Sequence, residues 1–297
     1  MTSRSHHSEM IDVHEDSRIL RLVEEAIHED LGMGDITTEA IVPPDLRGRA
    51  EIIVKESGVL AGLEYAAHVF EIIDPEVQFK PLVNDGSGIE PGTVVASLGG
   101  ALTGILKGER TALNILQRMS GIATLTRKFV DAVQGTKAKI TDTRKTAPGL
   151  RILDKRAVHI GGGVNHRFGL DDMVLIKDNH IAVAGGVRAA IDRCLSTVQK
   201  KYPAMKIEVE TKNLQQVEEA LKYKGIHRIM LDNFNLDDMK KAVQLINHAV
   251  EVEASGNVML NNVRAIAETG VDFISVGALT HSPKALDISL KIVSTSS

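Results

Sequence analysis

KIEVETKNLQQVEEALKYKGIHRIMLD, residues 206–232, decides the fold. It opens on a short β-branched run, KIEVE (206–210), passes through the helical stretch LQQVEEALKYKG (214–225) and returns to a second run, RIML (228–231). Strand, helix and strand in that order make a βαβ unit, and such units build parallel sheets. The same alternation fills the second half of the chain. Further short runs stand at AKIT (138–141), MVLIK (173–177), AVEVEAS (249–255) and FISVG (273–277). Helical stretches at 185–201, 236–248 and 260–270 lie between them. No GxGxxG follows the first strand and no GxxxxGK(S/T) is present, which disfavours the nucleotide folds built on those loops. The pattern predicts an α/β barrel.

The first third has a different texture. RILRLVEEAIHEDL (18–31) carries apolar residues at helical spacing. GRAEIIVKESGVLAGL (48–63) reads as strand, turn at Ser57-Gly58, and strand. Asn84-Asp85-Gly86 and Pro91-Gly92 mark turns, and residues 107–134 form a long helical stretch. A mixed α+β domain is expected there. The polar, acidic residues 1–17 read as a disordered N-terminal arm.

Composition narrows the function. Apolar residues make up 43% of 297, enough for a sizeable core, and no apolar run reaches the ~18 residues of a membrane helix. A net charge of −4 and the absence of tryptophan argue against general nucleic-acid binding. The single Cys194 excludes an internal disulfide framework and fits a reducing cytoplasm. Cationic residues nevertheless concentrate in TRKTAPGLRILDKR (143–156), NHR (165–167) and IKDNH (176–180). That concentration points to a site for a small anion.

Barrel chemistry sits at the C-terminal ends of the strands. The first strand runs into Arg144 and Lys145, the second into Lys177, the third into Glu210 and the fourth into Asp232. The fifth runs into Ser255-Gly256 and the sixth into Gly277. Arginine offers a planar fork for a carboxylate, and lysine a point charge for phosphate. Lys177 is also open to reading as a Schiff-base nucleophile. Glu210 and Asp232 either bind Mg²⁺ or pair with Lys145 and Lys177. Ser255-Gly256 and Gly277 leave room for a phosphate to meet backbone N–H groups. GGGVNHR (161–167) reads as a bend that lets His166 and Arg167 enter the site. Arg110 opens a helix, where its charge is mildly unfavourable to the dipole. A barrel aldolase and a non-catalytic binding module remain alternatives at this point.

These residues resemble a known family. TDTRKTAPGLRILDKRAVHIGGGVNHRFGLDDMVLIKDNH (141–180) is similar to the signature of the quinolinate phosphoribosyltransferases. The likeness continues through residues 108–124, 206–210, 229–234, 252–258 and 274–282. It implies an N-terminal α/β sandwich (18–123, joined by 283–297) and an incomplete α/β barrel (124–282), the type II phosphoribosyltransferase fold. It implies transfer of phosphoribose from phosphoribosyl pyrophosphate to quinolinate, with decarboxylation, in de novo NAD biosynthesis. By the same resemblance Thr143, Arg144, His166, Arg167 and Lys177 line the quinolinate pocket. Arg110 enters that pocket from a neighbouring subunit of a homodimer or hexamer. Lys145, Glu210 and Asp232 face the ribose, the pyrophosphate and Mg²⁺, while Ser255, Gly256, Gly277 and His281 hold phosphate. Asn257 stands where the family usually has a second glycine.

Overall fold

The apolar runs of the second half become strands because each is buried on both faces, as parallel strands under helices must be. The structure, a computed structural model, describes residues 5–296. In chain order the elements are α1 (Ser5–Leu31), α2 (Ile36–Ile41), β1 (Arg47–Val54), β2 (Gly58–Val59), α3 (Leu63–Ile73) and β3 (Gln78–Pro81). Next come β4 (Gly88–Ile89), β5 (Val94–Ala101), α4 (Leu102–Ala132), β6 (Lys139–Thr141), α5 (Arg151–Ile160) and β7 (Val174–Ile176). Then follow α6 (Asp178–Ala184), α7 (Val187–Lys201), β8 (Ile207–Thr211), α8 (Leu214–Leu221), β9 (Arg228–Asp232) and α9 (Leu236–Ile246). The chain ends with β10 (Glu251–Ser255), α10 (Val263–Ala267), β11 (Phe273–Ser275), α11 (Ala278–His281) and β12 (Ile288–Ser296). Two compact units result: residues 1–125, 146–161 and 282–297, and residues 126–145 and 162–281.

The second unit repeats the βαβ step read at 206–232. All five residues of β8 are buried. Asn213 starts α8 by accepting the Gln216 N–H at 3.0 Å, satisfying one donor that the helix itself cannot. Val217 and Ala220 bury the inner stripe of α8, and the chain returns as β9, parallel to β8. Six strands assemble in the order β6-β11-β10-β9-β8-β7, each pair parallel. Strands β7 to β11 are thus neighbours in sequence order, and the first strand joins the last. That order is a barrel open at one seam, between β6 and β7. An isolated parallel bridge, Thr141 to Val164, lies on that open side.

The first unit is an antiparallel sheet, β12-β1-β5-β3, with helices against it. Ala50, Ile52 and Val54 alternate into its core from β1, and Phe70 of α3 stacks on Phe79 of β3 at 5.9 Å. The chain end contributes β12, which pairs with β1 from Val54↔Ile288 to Arg47↔Ser296. No helix among the described residues is long and apolar enough to cross a membrane.

Two sequence expectations need correction here. Residues 5–17, read as disordered, continue α1 upstream of residue 18, while residues 1–4 lie outside the described residues. No proline or glycine interrupts Ser5–Leu31, and extending an existing helix costs far less than nucleating one. The expected barrel span 124–282 also loses residues 146–161 to the first unit. There the buried Asp154 of α5 takes a bidentate pair from Arg118 of α4, at 2.8 and 2.9 Å.

Candidate active site

Successive side chains on a strand point to opposite faces, so residues two apart share one face. In the second unit this creates two rungs. Glu210 on β8, Asp232 on β9 and Ser255 on β10 form an upper rung, with Lys177 just past β7. Two residues earlier, Leu175, Glu208, Met230 and Glu253 form a lower rung, with Ser275 on β11. Pairing staggers them as a tilted barrel requires: Leu175 stands opposite Glu208, Glu210 opposite Met230, and Met230 opposite Glu253. A cavity of about 350 Å³ opens among them. The strands and their ends contribute Leu175, Lys177, Glu210, Met230, Asp232, Glu253, Ser255 and Ser275. The loops after β6 and before β7 add Thr143, Arg144, Lys145, His166 and Arg167.

One wall is cationic. Thr143 Oγ1 accepts the Lys145 N–H at 3.0 Å, and the Lys145 carbonyl accepts from Thr280 Oγ1 at 2.9 Å, so the turn after β6 is held at both ends. Arg144 keeps its Nε buried, without a hydrogen-bond partner among the described residues. Arg167 is 8% exposed, and its Nη1 donates to the Met173 carbonyl at 2.9 Å. Burial, and then the neighbouring Arg144, lower the pKa of the Arg167 guanidinium. Two like charges held together in a cavity favour an anion between them. Lys177 is exposed, which removes the desolvation that a Schiff-base lysine needs.

The loop that delivers His166 and Arg167 hangs from Asp142 at the end of β6. Asp142 is fully buried, and its carboxylate accepts from Asn165 Nδ2 at 2.7 Å and the His166 N–H at 2.8 Å. Of the three glycines before this loop, Gly162 has the positive φ, +96°, that a turn demands. Gly161 is ordinary right-handed backbone with φ −68°. The bend expected for GGGVNHR therefore hinges on its middle glycine.

Beneath the cationic wall lies an array that the sequence reading missed. His166 Nε2 stands 3.0 Å from Glu208 and 3.5 Å from Glu253. Arg228 Nη1 pairs with Glu253 at 2.7 Å, and its guanidinium lies 3.8 Å from the Phe273 ring centre. Burial opposes charge on the imidazole, but the two carboxylates outweigh it and pull protons into the array. Burial first, and then Glu253, push Glu208 up to about 7. His166 Nδ1 accepts the Arg167 N–H at 2.8 Å, so the ring carries its one proton on Nε2, 3.0 Å from Glu208, and a further proton drawn into this pair rests on Glu208. His166, Glu208 and Glu253 are close enough to share a metal ion, yet Arg228 already occupies Glu253 and Nε2 faces the carboxylates with a proton. They read better as an ion-pair network. The signal was available: each of these glutamates lies two residues before a strand-end residue already singled out, and two residues is the strand period.

The opposite wall is anionic. Burial, and then the nearby Asp232 carboxylate, raise the pKa of Glu210. Among the described residues neither carboxylate forms an ion pair with Lys145 or Lys177, and the ion pair closest in sequence is Lys212–Asp178 at 2.8 Å. Two mutually repelling carboxylates are the oxygen donors that Mg²⁺ takes, with phosphate completing the shell, so these residues fit that ion.

Around this wall the backbone comes close. Gly256 has φ +97°, and Asn257 φ +49°. Asparagine tolerates that left-handed conformation, and Asn257 Nδ2 donates to Asn233 Oδ1 at 3.1 Å, which accommodates the departure from glycine. A β-carbon at Gly277 would lie 3.0 Å from Lys145 Cδ and 3.2 Å from His281 Cδ2. Thr143, Arg144, Lys145, His166, Arg167, Lys177, Glu210, Asp232 and Ser255 thus meet in one cavity, with Gly256, Gly277 and His281 beside them. Arg110 stands exposed on α4 in the other unit.

Known proteins match along most of the chain. The family described as "Quinolinate phosphoribosyl transferase, C-terminal domain" matches residues 122–291, and its N-terminal counterpart residues 35–120. A "Probable nicotinate-nucleotide pyrophosphorylase (carboxylating)" of Synechocystis is 47% identical over 89% of this chain and 89% of its own. "Quinolinate phosphoribosyltransferase (decarboxylating) 1b" of Nicotiana tabacum is 46% identical over 91% of this chain and 81% of its own. The solved nicotinate-nucleotide pyrophosphorylase of Francisella tularensis superposes with TM-score 0.88 at 40% identity, covering 93% and 96% of the two chains. That of Ehrlichia chaffeensis gives 0.86 at 42% identity, covering 92% and 98%.

Proposed function

Because the chain belongs to the quinolinate phosphoribosyltransferase family, we propose that its cavity seats quinolinate on the cationic wall and phosphoribosyl pyrophosphate on the carboxylate wall. The enzyme transfers phosphoribose to quinolinate with decarboxylation, giving nicotinate mononucleotide, pyrophosphate and CO₂ in NAD biosynthesis. The observation that carries the seating is the pair of the half-buried Arg144 and the buried Arg167, facing a cavity that also holds Glu210 and Asp232.

Quinolinate has two adjacent carboxylates. Arg144, Arg167 and Lys177 grip them, with Thr143 and His166 completing that wall. Each charge-assisted hydrogen bond is worth about 1.5–3 kcal/mol. Gripping both carboxylates aims the ring nitrogen at ribose C1, and such positioning supplies a large part of a rate enhancement. As the bond from C1 to pyrophosphate breaks, positive charge grows on the ribose. Glu210 and Asp232 stabilise that charge, and Lys145 holds the departing pyrophosphate. Mg²⁺ held by Glu210 and Asp232 would supply charge neutralisation for the leaving group. Ser255, Gly256, Gly277 and His281 hold phosphate. After transfer the ring nitrogen is quaternary, and its positive charge stabilises the electron pair left at C2 when CO₂ departs, until that pair takes a proton from solvent to form the C2–H bond of the product. The protein's part in that step is binding and exclusion of water.

The exposed Arg110 supports a shared site, in which Arg110 of the partner subunit completes the grip on quinolinate in a homodimer or hexamer. A single cysteine supports a cytoplasmic setting. The test is release of labelled CO₂ from quinolinate. It should require both phosphoribosyl pyrophosphate and Mg²⁺, and release without either would refute the reading.

A further inference from the structure

Glu208 and Glu253 are both fully buried, on the lower rung beneath the cavity. Apolar residues of similar volume would serve the core as well or better, because two desolvated carboxylates are costly to a fold. Their neighbours show what they hold. Arg228 is anchored by Glu251 at 2.9 Å and by the Phe273 ring, and it pins Glu253. Glu208 has no such anchor, and its close partner is His166 Nε2 at 3.0 Å. On the other edge of that imidazole, Nδ1 accepts the Arg167 N–H at 2.8 Å. Both ring nitrogens therefore face protein groups.

We propose that Glu208 and Glu253 are positioning residues for quinolinate capture. They keep the ring proton of His166 on Nε2, which leaves Nδ1 as the acceptor that fixes the Arg167 backbone and so aims its guanidinium into the cavity. Were Nδ1 to carry the proton instead, two N–H donors would face each other, and the Arg167 backbone would be pushed out of place. His166 then acts through Arg167, not by gripping a substrate carboxylate itself. The inference rests on the reading of Arg167 as a quinolinate ligand.

Two variants of Glu208 test it. Glu208→Leu removes the oxygens that face Nε2, whereas Glu208→Gln keeps one. Glu208→Leu should raise the KM for quinolinate by about tenfold to a hundredfold, the cost of misplacing a positioning group, and leave the KM for phosphoribosyl pyrophosphate within about twofold. Glu208→Gln should recover most of the loss. Arg167→Ala serves as the reference. If it leaves quinolinate binding intact, the seating of the substrate is wrong. If it weakens binding while Glu208→Leu does not, the positioning role is wrong. Should Glu208→Leu fail to fold, ¹⁵N spectra of the histidine-labelled wild-type enzyme decide. They should show His166 protonated on Nε2 and bare on Nδ1, and a proton on Nδ1 overturns the proposal.

Discussion

A β-carbon placed on Gly256 would lie 2.2 Å from the side-chain oxygen of Asn233. The ends of β9 and β10 are drawn together here, with the Asn233 N–H donating to the Ser255 carbonyl at 2.9 Å. The close approach lies at the carboxylate wall of the cavity, beside Asp232 and Ser255, where phosphate is expected.

Gly256→Ala meets two obstacles at once. Its φ of +97° is strained for any residue with a β-carbon, at about 1–3 kcal/mol, and Asn233 must also move. The variant should show a raised KM for phosphoribosyl pyrophosphate and an unfolding temperature a few degrees lower, with quinolinate affinity preserved. Steady-state kinetics in each substrate, beside a thermal melt, check this.

Arg167→Ala removes a guanidinium that is 8% exposed and already tied to the Met173 carbonyl. Loss of one charge-assisted bond, about 1.5–3 kcal/mol, should weaken quinolinate roughly tenfold to a hundredfold or slightly more. Phosphoribosyl pyrophosphate should bind nearly as before. Calorimetric titration with each ligand separates the two, and undiminished quinolinate affinity would contradict the assignment.

The barrel was legible in the sequence because short β-branched runs alternate with helical stretches, and because the ends of those runs surface together at one mouth. Lys177, Glu210 and Asp232 could be found by reading the residue that follows each run. The lower rung was hidden by the same logic. Glu208 sits inside KIEVE, where a charged residue in a strand reads as a solvated face, although its partner His166 stands 42 positions earlier. The place of α5 was hidden too, since the buried Asp154 is satisfied by Arg118, 36 residues upstream. Pairings of that reach leave no periodic trace.

Mixing two inactive variants tests the shared site. If Arg110 of the partner subunit completes the cavity, an Arg110→Ala chain and an Arg167→Ala chain can build one intact site between them. Up to about a quarter of wild-type activity should return after subunit exchange, since half of the random dimers are mixed and each holds one good site of two. Labelled chains must first be shown to exchange. No recovery after proven exchange would mean that each chain carries a complete site.

Stability should depend on pH through the array under the cavity. Burial and the neighbouring Glu253 raise Glu208 from 4.5 to about 7. The shift is upward, so the folded protein holds a proton there that the unfolded chain has lost between those limits. The stabilisation is complete below the unfolded value and is lost as pH climbs through the folded one. The depressed Glu253 acts in the opposite sense, but only below its ordinary value of 4.5. The contribution of Glu208 to the unfolding free energy should therefore fall from about pH 5 to about pH 7, by up to about 1.4 kcal/mol per pH unit. Glu208→Gln cannot titrate, so its profile should be flatter across that range. Denaturant melts of both proteins at matched pH measure the difference. Parallel profiles would show that Glu208 does not hold the proton assigned to it.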